Sequence, residues 1–509
     1  MVIKINLFFS TFSNFVIFFV LFIIGSAWAY HCFKKGHKYV LTPAICISLL
    51  LLVIWGMIAG IDVDEIEHLH CTWMVYSGFV PFKDFWQHHA PIFWVILAPI
   101  FGILKPSVSV IALSRIFSAF IFVLIVFAGW KVAQKAWQGQ ARLSVYLLIA
   151  FVSSVVGDFL CFRPDLFTTL FLLLFIYLCL EIPGRKLSPS FFAGVAFGIA
   201  ASFLFKQYLL FFLPFFIILK EKSGLRIAKS SAYLLGVCCG VLPLMLYLFD
   251  KGIVREFVFW VFAYNRKRIV FSVDFPVAIG AVGVYGVYLL LRRYRDFRDS
   301  GALILFIAFC LSTISSFTHT LTPFYNYNIG LWFMLCAVTG SGRSLYDLTG
   351  RLSSLCQKSL AAGLFLSLIL SLSIVAVGSH KNTYFSTDKK IVSQLITYSA
   401  QDTCLAILPY HPVFATDVSR LYAFWQFHLS DRYPEVRDDI IGRGIAKEIM
   451  RIKPAVVLFH LNGRDFLLDL FQKRLISKTD YNNMIIFFKS GYTLKDIEGN
   501  KYFIRNDKL

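Results

Sequence analysis

Acidic and imidazole side chains crowd into the stretch 62–70, where Asp62, Asp64, Glu65, Glu67, His68 and His70 follow one another almost without interruption. Carboxylates and imidazoles are the side chains that move protons near neutral pH and the ones that hold divalent cations, so this stretch is a candidate for general acid–base or metal chemistry. Asp84, Gln87, His88, His89 and Pro91 form a second polar cluster, and Arg163-Pro164-Asp165 and Lys206-Gln207 stand isolated between apolar runs. Arg255, Arg266, Lys267 and Arg268 make a basic rim suited to a phosphate, or equally to anionic headgroups in general. His319, Tyr325, Asn326 and Asn328 could hydrogen-bond a sugar, or could belong to an interfacial aromatic belt. Plainer readings stand beside these. Asp64 at a helix start is a natural N-cap, Arg163 can pair with Asp165, and an arginine at a helix end snorkels readily.

The elements that must carry these residues follow from composition. Of the 509 residues, 58% are hydrophobic and 15% charged, and 55 are Phe. Soluble domains carry about 25% charge, so a water-soluble globular enzyme, a disordered chain and a fibrous repeat are all poor fits. Apolar runs reach the ~20 residues needed to cross hydrocarbon without the alternation of barrel strands. The chain therefore reads as an all-α polytopic membrane bundle. About twelve spans are expected, near 7–31, 39–60, 107–130, 142–160, 166–182, 189–205, 207–219, 230–249, 274–291, 301–317, 328–342 and 359–378, with the short 207–219 run a candidate re-entrant segment. The formal charge of +20 resides largely in the alternate loops, at Lys34, Lys35 and Lys38, Lys131 to Arg142, Arg185-Lys186, Lys220 to Lys229, Arg292 to Arg298, and Arg343 to Lys358. That phase places those loops in the cytoplasm by the positive-inside rule and argues against nucleic acid as the partner. The polar clusters above then share the opposite face, the periplasm if the membrane is a bacterial inner membrane.

On a helix starting near Asp64, the residues Ile66, Leu69, Trp73 and Met74 share one face and Asp64, Glu65, His68 and Thr72 another, the pattern of a juxtamembrane helix lying on the interface. Ala27-Trp28-Ala29 resembles a signal-peptidase site, but cleavage there would export Lys34, Lys35 and Lys38, so the segment is expected to stay as the first span. The eleven Cys are scattered through apolar runs without metal-like spacing and read as packing residues. Beyond about residue 380 the composition turns polar. The division expected is a transmembrane domain over 1–380 and a small extracytoplasmic α/β domain over 381–509, with strands at 405–410, 455–461, 484–489 and 501–505 and helices at 440–452 and 464–476.

The combination of Asp64-Glu65, then Gly78-Phe79-Val80-Pro81-Phe82 with Asp84-Phe85 and His88-His89-Ala90-Pro91, then Arg163-Pro164-Asp165 and Lys206-Gln207, resembles the membrane-embedded glycosyltransferases of the C-type (GT-C) fold, such as the protein O-mannosyltransferases and the aminoarabinose transferase of lipid A. The likeness spans the membrane domain. It departs where those enzymes often carry His-Pro-Pro and this chain has His89-Ala90-Pro91, and Asp62 has no counterpart. The resemblance implies transfer of a sugar from a polyprenyl-phosphate donor to a hydroxyl of a lipid, glycan or protein acceptor, with inversion, on the outer membrane face. Under it Asp64 is the base, with Glu65 and Asp165 the other catalytic acids, orienting Asp64 or the acceptor together with His68. Lys206, Arg255, Arg266 and Arg268 hold the donor phosphate, and His68, His88, His89, Arg163, Gln207, His319 and Tyr325 line the substrate site. Asp64 and Asp165 are also the pair that would hold a divalent metal, if one is used. Two other classes fit the same residues. Charged groups at membrane depth also mark a transporter or flippase, although no duplicated pattern links the two halves. A non-catalytic assembly or receptor protein would place its activity in the 381–509 region, which lacks a Gly-rich phosphate loop or a nucleophile elbow.

Overall fold

The computed structural model describes residues 61–85, 87–104, 107–137, 162–264, 300–317, 385–399, 402–405, 413, 415–417, 445–461, 464–472 and 476–509. Five of the expected spans fall at 7–31, 39–60, 142–160, 274–291 and 328–342, outside those residues, as does the one at 359–378. The first described helix, α1 (Val63–Tyr76), begins the polar region. It is followed by two short helices, α2 (Ile92–Leu97) and α3 (Ile100–Ile103), interrupted at Pro99. The apolar helices α4 (Ser109–Ala136), α5 (Pro164–Cys179), α6 (Ser188–Phe203), α7 (Leu213–Ile218), α8 (Ser223–Lys251) and α10 (Ser300–Phe317) make the bundle. A 3₁₀ turn over Phe205–Phe212 leads into α7, and a one-turn helix α9 (Val254–Phe257) follows α8.

Two of these helices, α4 and α8, are long and apolar enough to cross a membrane. Their outer surfaces carry exposed Ile116, Phe120, Val123 and Phe127 on α4, and Leu234, Leu235, Leu242, Leu246 and Phe249 on α8. Stripes of that kind are unstable against water and suited to lipid, so the apolar helices are those of a membrane protein.

Helices α6 and α8 pack backbone to backbone. Gly194 and Gly198 on one helix face Gly236 and Gly240 on the other, and a Cβ on Gly236 would lie 2.0 Å from the Phe191 carbonyl oxygen. Close approach of two helices through small residues four apart is the favoured way to associate in lipid, where burial of apolar surface offers no driving force. The Ser202 hydroxyl donates to the Gly198 carbonyl at 2.8 Å, within the same contact. Polar groups segregate to the two ends of the bundle. At one end Lys135 pairs with Glu181 at 2.5 Å, and the buried Lys229 ammonium donates to the carbonyls of Ile182 and Gly184 at 2.7 and 2.8 Å. At the other end lie the starts of α1 and α5 and the 3₁₀ turn.

The C-terminal part is a mixed sheet in the order β2-β1-β3-β6-β5, built from β1 (Thr403–Leu405), β2 (Thr416–Asp417), β3 (Val456–Leu461), β5 (Tyr492–Ile497) and β6 (Asn500–Arg505), with β4 (Arg464–Asp465) on β3. β1 runs parallel to β2 and β3, while β6 is antiparallel to β3 and β5. Alternation along the strands sorts the core. Leu405, Val457 and Phe503 pack under α12 (Ile445–Ile452), α13 (Phe466–Gln472) and α14 (Lys478–Gly491); Cys404, Val456, Leu458, Tyr502 and Ile504 pack under α11 (Phe385–Ser399). The run 484–489, expected as a strand, is helical. Its apolar residues are spaced by four, with Met484 and Phe488 fully buried and Ile486 exposed, and Ser477 caps the helix by accepting from the Asp480 N–H. The strand that pairs with β6 is instead β5, joined to it through a tight turn in which Glu498 and Gly499 both take positive φ.

Helix α11 fastens this sheet to the membrane part. Ile391 and Leu395 face the sheet, whereas Val392 packs into the cluster that contains Ile66 and Leu69 of α1. The buried Asp388 carboxylate accepts the Ile61 N–H at 2.6 Å, and His70 Nδ1 donates to the Val413 carbonyl at 3.0 Å.

Candidate active site

The start of α1 differs from the expectation in two respects. Its N-cap is Asp62, not Asp64: the Asp62 carboxylate accepts the Asp64 N–H at 2.9 Å. Nor is its apolar face open to the surroundings. Ile66, Leu69 and Met74 are buried, and so are Glu65, Glu67, His68 and Thr72 on the other side, because α2, α11 and the 87–94 segment enclose the helix.

With the capping role taken by Asp62, Asp64 is left with 23% of its side chain exposed, facing Arg163. Arg163 precedes α5 in an extended conformation, with Pro164 at the first helical position. Its guanidinium reaches Asp62 at 2.8 Å and Asp64 at 2.9 Å. The arginine therefore bridges two acids of α1 and does not close on Asp165. Asp165, in the first turn of α5, is 3.5 Å from the Lys206 ammonium. Lys206 and Gln207 stand at the head of the 3₁₀ turn, where Gln207 departs from helical geometry. Three elements far apart in the chain thus bring Asp62, Asp64, Arg163, Asp165 and Lys206 into one partly open cluster of alternating charge.

Burial pushes the Asp64 carboxyl above the usual aspartate range; Arg163 opposes the shift, and Asp62 and Asp165 add to it. A carboxylate of this kind is a stronger base than a free aspartate. His68 lies one turn further along α1, and burial, reinforced by the charges of Arg163 and Lys206, holds its imidazole down to about 3. It is neutral, with Nδ1 accepting from the Trp94 indole N–H at 3.2 Å, so its proton sits on Nε2.

Glu65 is placed differently from the expectation. Both its oxygens are taken by Arg115 of α4 in a two-pronged pair, Nε to Oε1 and Nη2 to Oε2 at 2.8 Å each, with both side chains buried. Glu65 holds α1 against α4, and its carboxyl also lies beside the Asp62 backbone. Arg115 was not singled out from sequence, although one cation within an otherwise apolar span is the usual mark of a buried partner. Asp64 and Asp165 each face a cation, Arg163 and Lys206 respectively, in the position where a divalent ion would neutralise them.

Arg255 is exposed on α9, but its segment packs beside the site: Phe257 and Phe262 both meet Phe205, the residue before Lys206, at centroid distances of 6.4 and 5.0 Å. Arg266, Arg268, His319 and Tyr325 lie outside the described residues.

No family model matches this chain, and no curated protein sequence does. Among solved structures it is similar to ArnT. That protein, from Cupriavidus metallidurans and crystallised bound to undecaprenyl phosphate, is 12% identical to this chain, and the likeness covers 89% of this chain and 76% of ArnT with a TM-score of 0.44.

His88 and His89 do not join the Asp64 cluster directly. They follow Gln87, whose amide donates to Glu67 at 2.6 Å and whose carbonyl accepts the His88 N–H at 2.7 Å. The His89 ring packs against His68, 5.3 Å between centroids.

Proposed function

We propose that this protein is a membrane glycosyltransferase that moves a sugar from a polyprenyl-phosphate donor to an acceptor hydroxyl at the non-cytoplasmic membrane face. The observation that carries the reading is the joining of a poised carboxylate, Asp64, to two fixed cations, Arg163 and Lys206, at one end of an apolar bundle. An acceptor hydroxyl is a weak nucleophile, so transfer needs a base within hydrogen-bond reach. Asp64 takes that proton as the acceptor oxygen forms its bond to the anomeric carbon. The bond from that carbon to the phosphate oxygen breaks on the opposite side, inverting the centre, and polyprenyl phosphate departs with the electron pair. Lys206 stabilises the negative charge that gathers on the phosphate, and in a partly dry site a pre-placed ammonium acts more strongly than in water. Asp165 holds that ammonium in place, and Arg163 favours the ionised form of Asp64. Helix α11 and the C-terminal sheet, fastened to the α1 region through Asp388, Val392 and Val413, serve as a cap or an acceptor-recognition unit.

The test is a panel of labelled polyprenyl-phosphate sugars incubated with membranes that contain either the natural chain or Asp64→Asn. General-base removal costs about 10²–10⁴-fold, so label should pass to a membrane or glycan acceptor only with the natural chain, at equal protein levels. An Asp64→Asn protein that transfers at a near-normal rate would remove Asp64 as the base.

A further inference from the structure

A second group of side chains, next to the transfer site and unused by it, has the composition of a metal centre. Glu67 of α1 and His88 and His89 of the following loop each present one ligand atom, and these atoms all lie within 4.8 Å of one another. Glu67 and His88 are buried and His89 is half-buried. Neighbouring side chains of an extended segment point apart. Here a bend at 88–89 brings the two imidazoles together, 4.0 Å between ring centroids, on the side that faces α1.

Gln87 holds the group from behind. Its Nε2 donates to Glu67 Oε1 at 2.6 Å, while its Oε1 accepts the His88 and His89 N–H groups at 2.7 and 3.3 Å. One amide thus orients the carboxylate and the backbone that carries both imidazoles, as the supporting shell of a metal site does. Two imidazoles and one carboxylate are the donors of three-ligand zinc sites that leave a fourth position open; magnesium and calcium take oxygen donors instead. Zinc–ligand bonds of about 2.0–2.1 Å in tetrahedral geometry set the donors about 3.4 Å apart, so closing the group needs side-chain rotations of about an ångström.

We propose that Glu67, His88 and His89 bind one zinc-class divalent cation, which ties the 87–91 loop to α1 and keeps one coordination position for solvent or a substrate oxygen. The proposal is independent of the transfer reading, because cation binding is measured without any sugar. The experiment uses the full chain, purified without a polyhistidine tag, stripped with chelator and titrated with Zn²⁺ and with Co²⁺ as a spectroscopic probe. The expected result is one Zn²⁺ per chain retained on desalting, a Co²⁺ d–d spectrum of four-coordinate intensity, and a Zn²⁺-dependent rise in thermal stability. Glu67→Gln and His88→Gln should lose all three signals. Gln87→Ala keeps every ligand and should still bind, about 10–100-fold more weakly, which covers the case in which a ligand variant fails to fold. A natural chain that retains no Zn²⁺, or retention and Co²⁺ spectra unchanged in Glu67→Gln and His88→Gln, would overturn the proposal.

Discussion

The pair Glu65–Arg115 separates a structural role from a chemical one for the acid beside the proposed base. The guanidinium and the carboxylate meet through two parallel hydrogen bonds of 2.8 Å, with side-chain exposures of 4% for Arg115 and 1% for Glu65. Solvent does little to screen such a pair. Removing one partner leaves the other charge buried, at a cost of about 3–5 kcal/mol, whereas replacing both by apolar side chains of similar volume is often nearly neutral. Glu65→Leu and Arg115→Met should therefore each destabilise the protein by about that amount, and the double variant should recover most of the loss. Detergent unfolding in mixed micelles, followed by circular dichroism, measures all four corners of the cycle. A double variant as unstable as the sum of the singles would refute the clamp. So would a fully stable Glu65→Gln protein that has lost transfer, which would return Glu65 to a chemical role.

Two further outcomes follow from named contacts. Arg163 favours the ionised form of Asp64, against burial and the charges of Asp62 and Asp165, while Lys206 assists it; transfer needs that form, so activity rises as pH climbs through the Asp64 titration. Arg163→Gln should move the acid limb of kcat/KM to higher pH, so that activity falls more on the acid side of the profile than on its plateau, and an unmoved limb would count against Asp64 as the titrating base. Gly236→Ala places a methyl 2.0 Å from the Phe191 carbonyl oxygen and 3.0 Å from the Val195 nitrogen. Neither backbone atom can yield as a flexible side chain would, so α6 and α8 must part, at about 1–3 kcal/mol or more; equal stability in the micelle assay would mean that the helices are not so closely packed.

Much of the bundle was legible because a span announces itself by length and hydropathy. Ser109–Ala136, Ser188–Phe203 and Ser300–Phe317 fall where the runs at 107–130, 189–205 and 301–317 placed them. The packing between spans was less legible: Gly194/Gly198 and Gly236/Gly240 carry the small-residue spacing in sequence, yet that spacing does not say which helix faces which, and the fold pairs α6 with α8. The site residues at 64, 163, 165 and 206 were legible as polar exceptions in apolar surroundings, but their pairing was not. Arg163 and Asp165 are two residues apart, which invites a local pair; the helix that starts between them turns their side chains toward different partners. The strand expected at 484–489 failed for a related reason, since a short apolar run fits either period and the deciding signal was Ser477 with Asp480 upstream.

The acidic crowd at the start of α1 makes physical sense once each carboxylate has a separate task. Asp62 closes the helix end and takes one contact to Arg163. Glu65 is spent on Arg115, and Glu67 is held by Gln87 on the side of the two histidines. From the other side Asp388 fixes the backbone at Ile61, so the C-terminal unit reaches the same turn of helix. A carboxylate that serves as a base must be held in place yet keep an open face and enough basicity to accept a proton. Asp64 combines those features: 23% of its side chain is exposed, one cation orients it, and burial raises its affinity for a proton. Its neighbours immobilise the backbone around it, so the reacting oxygen can be positioned without the base itself being consumed in structural contacts.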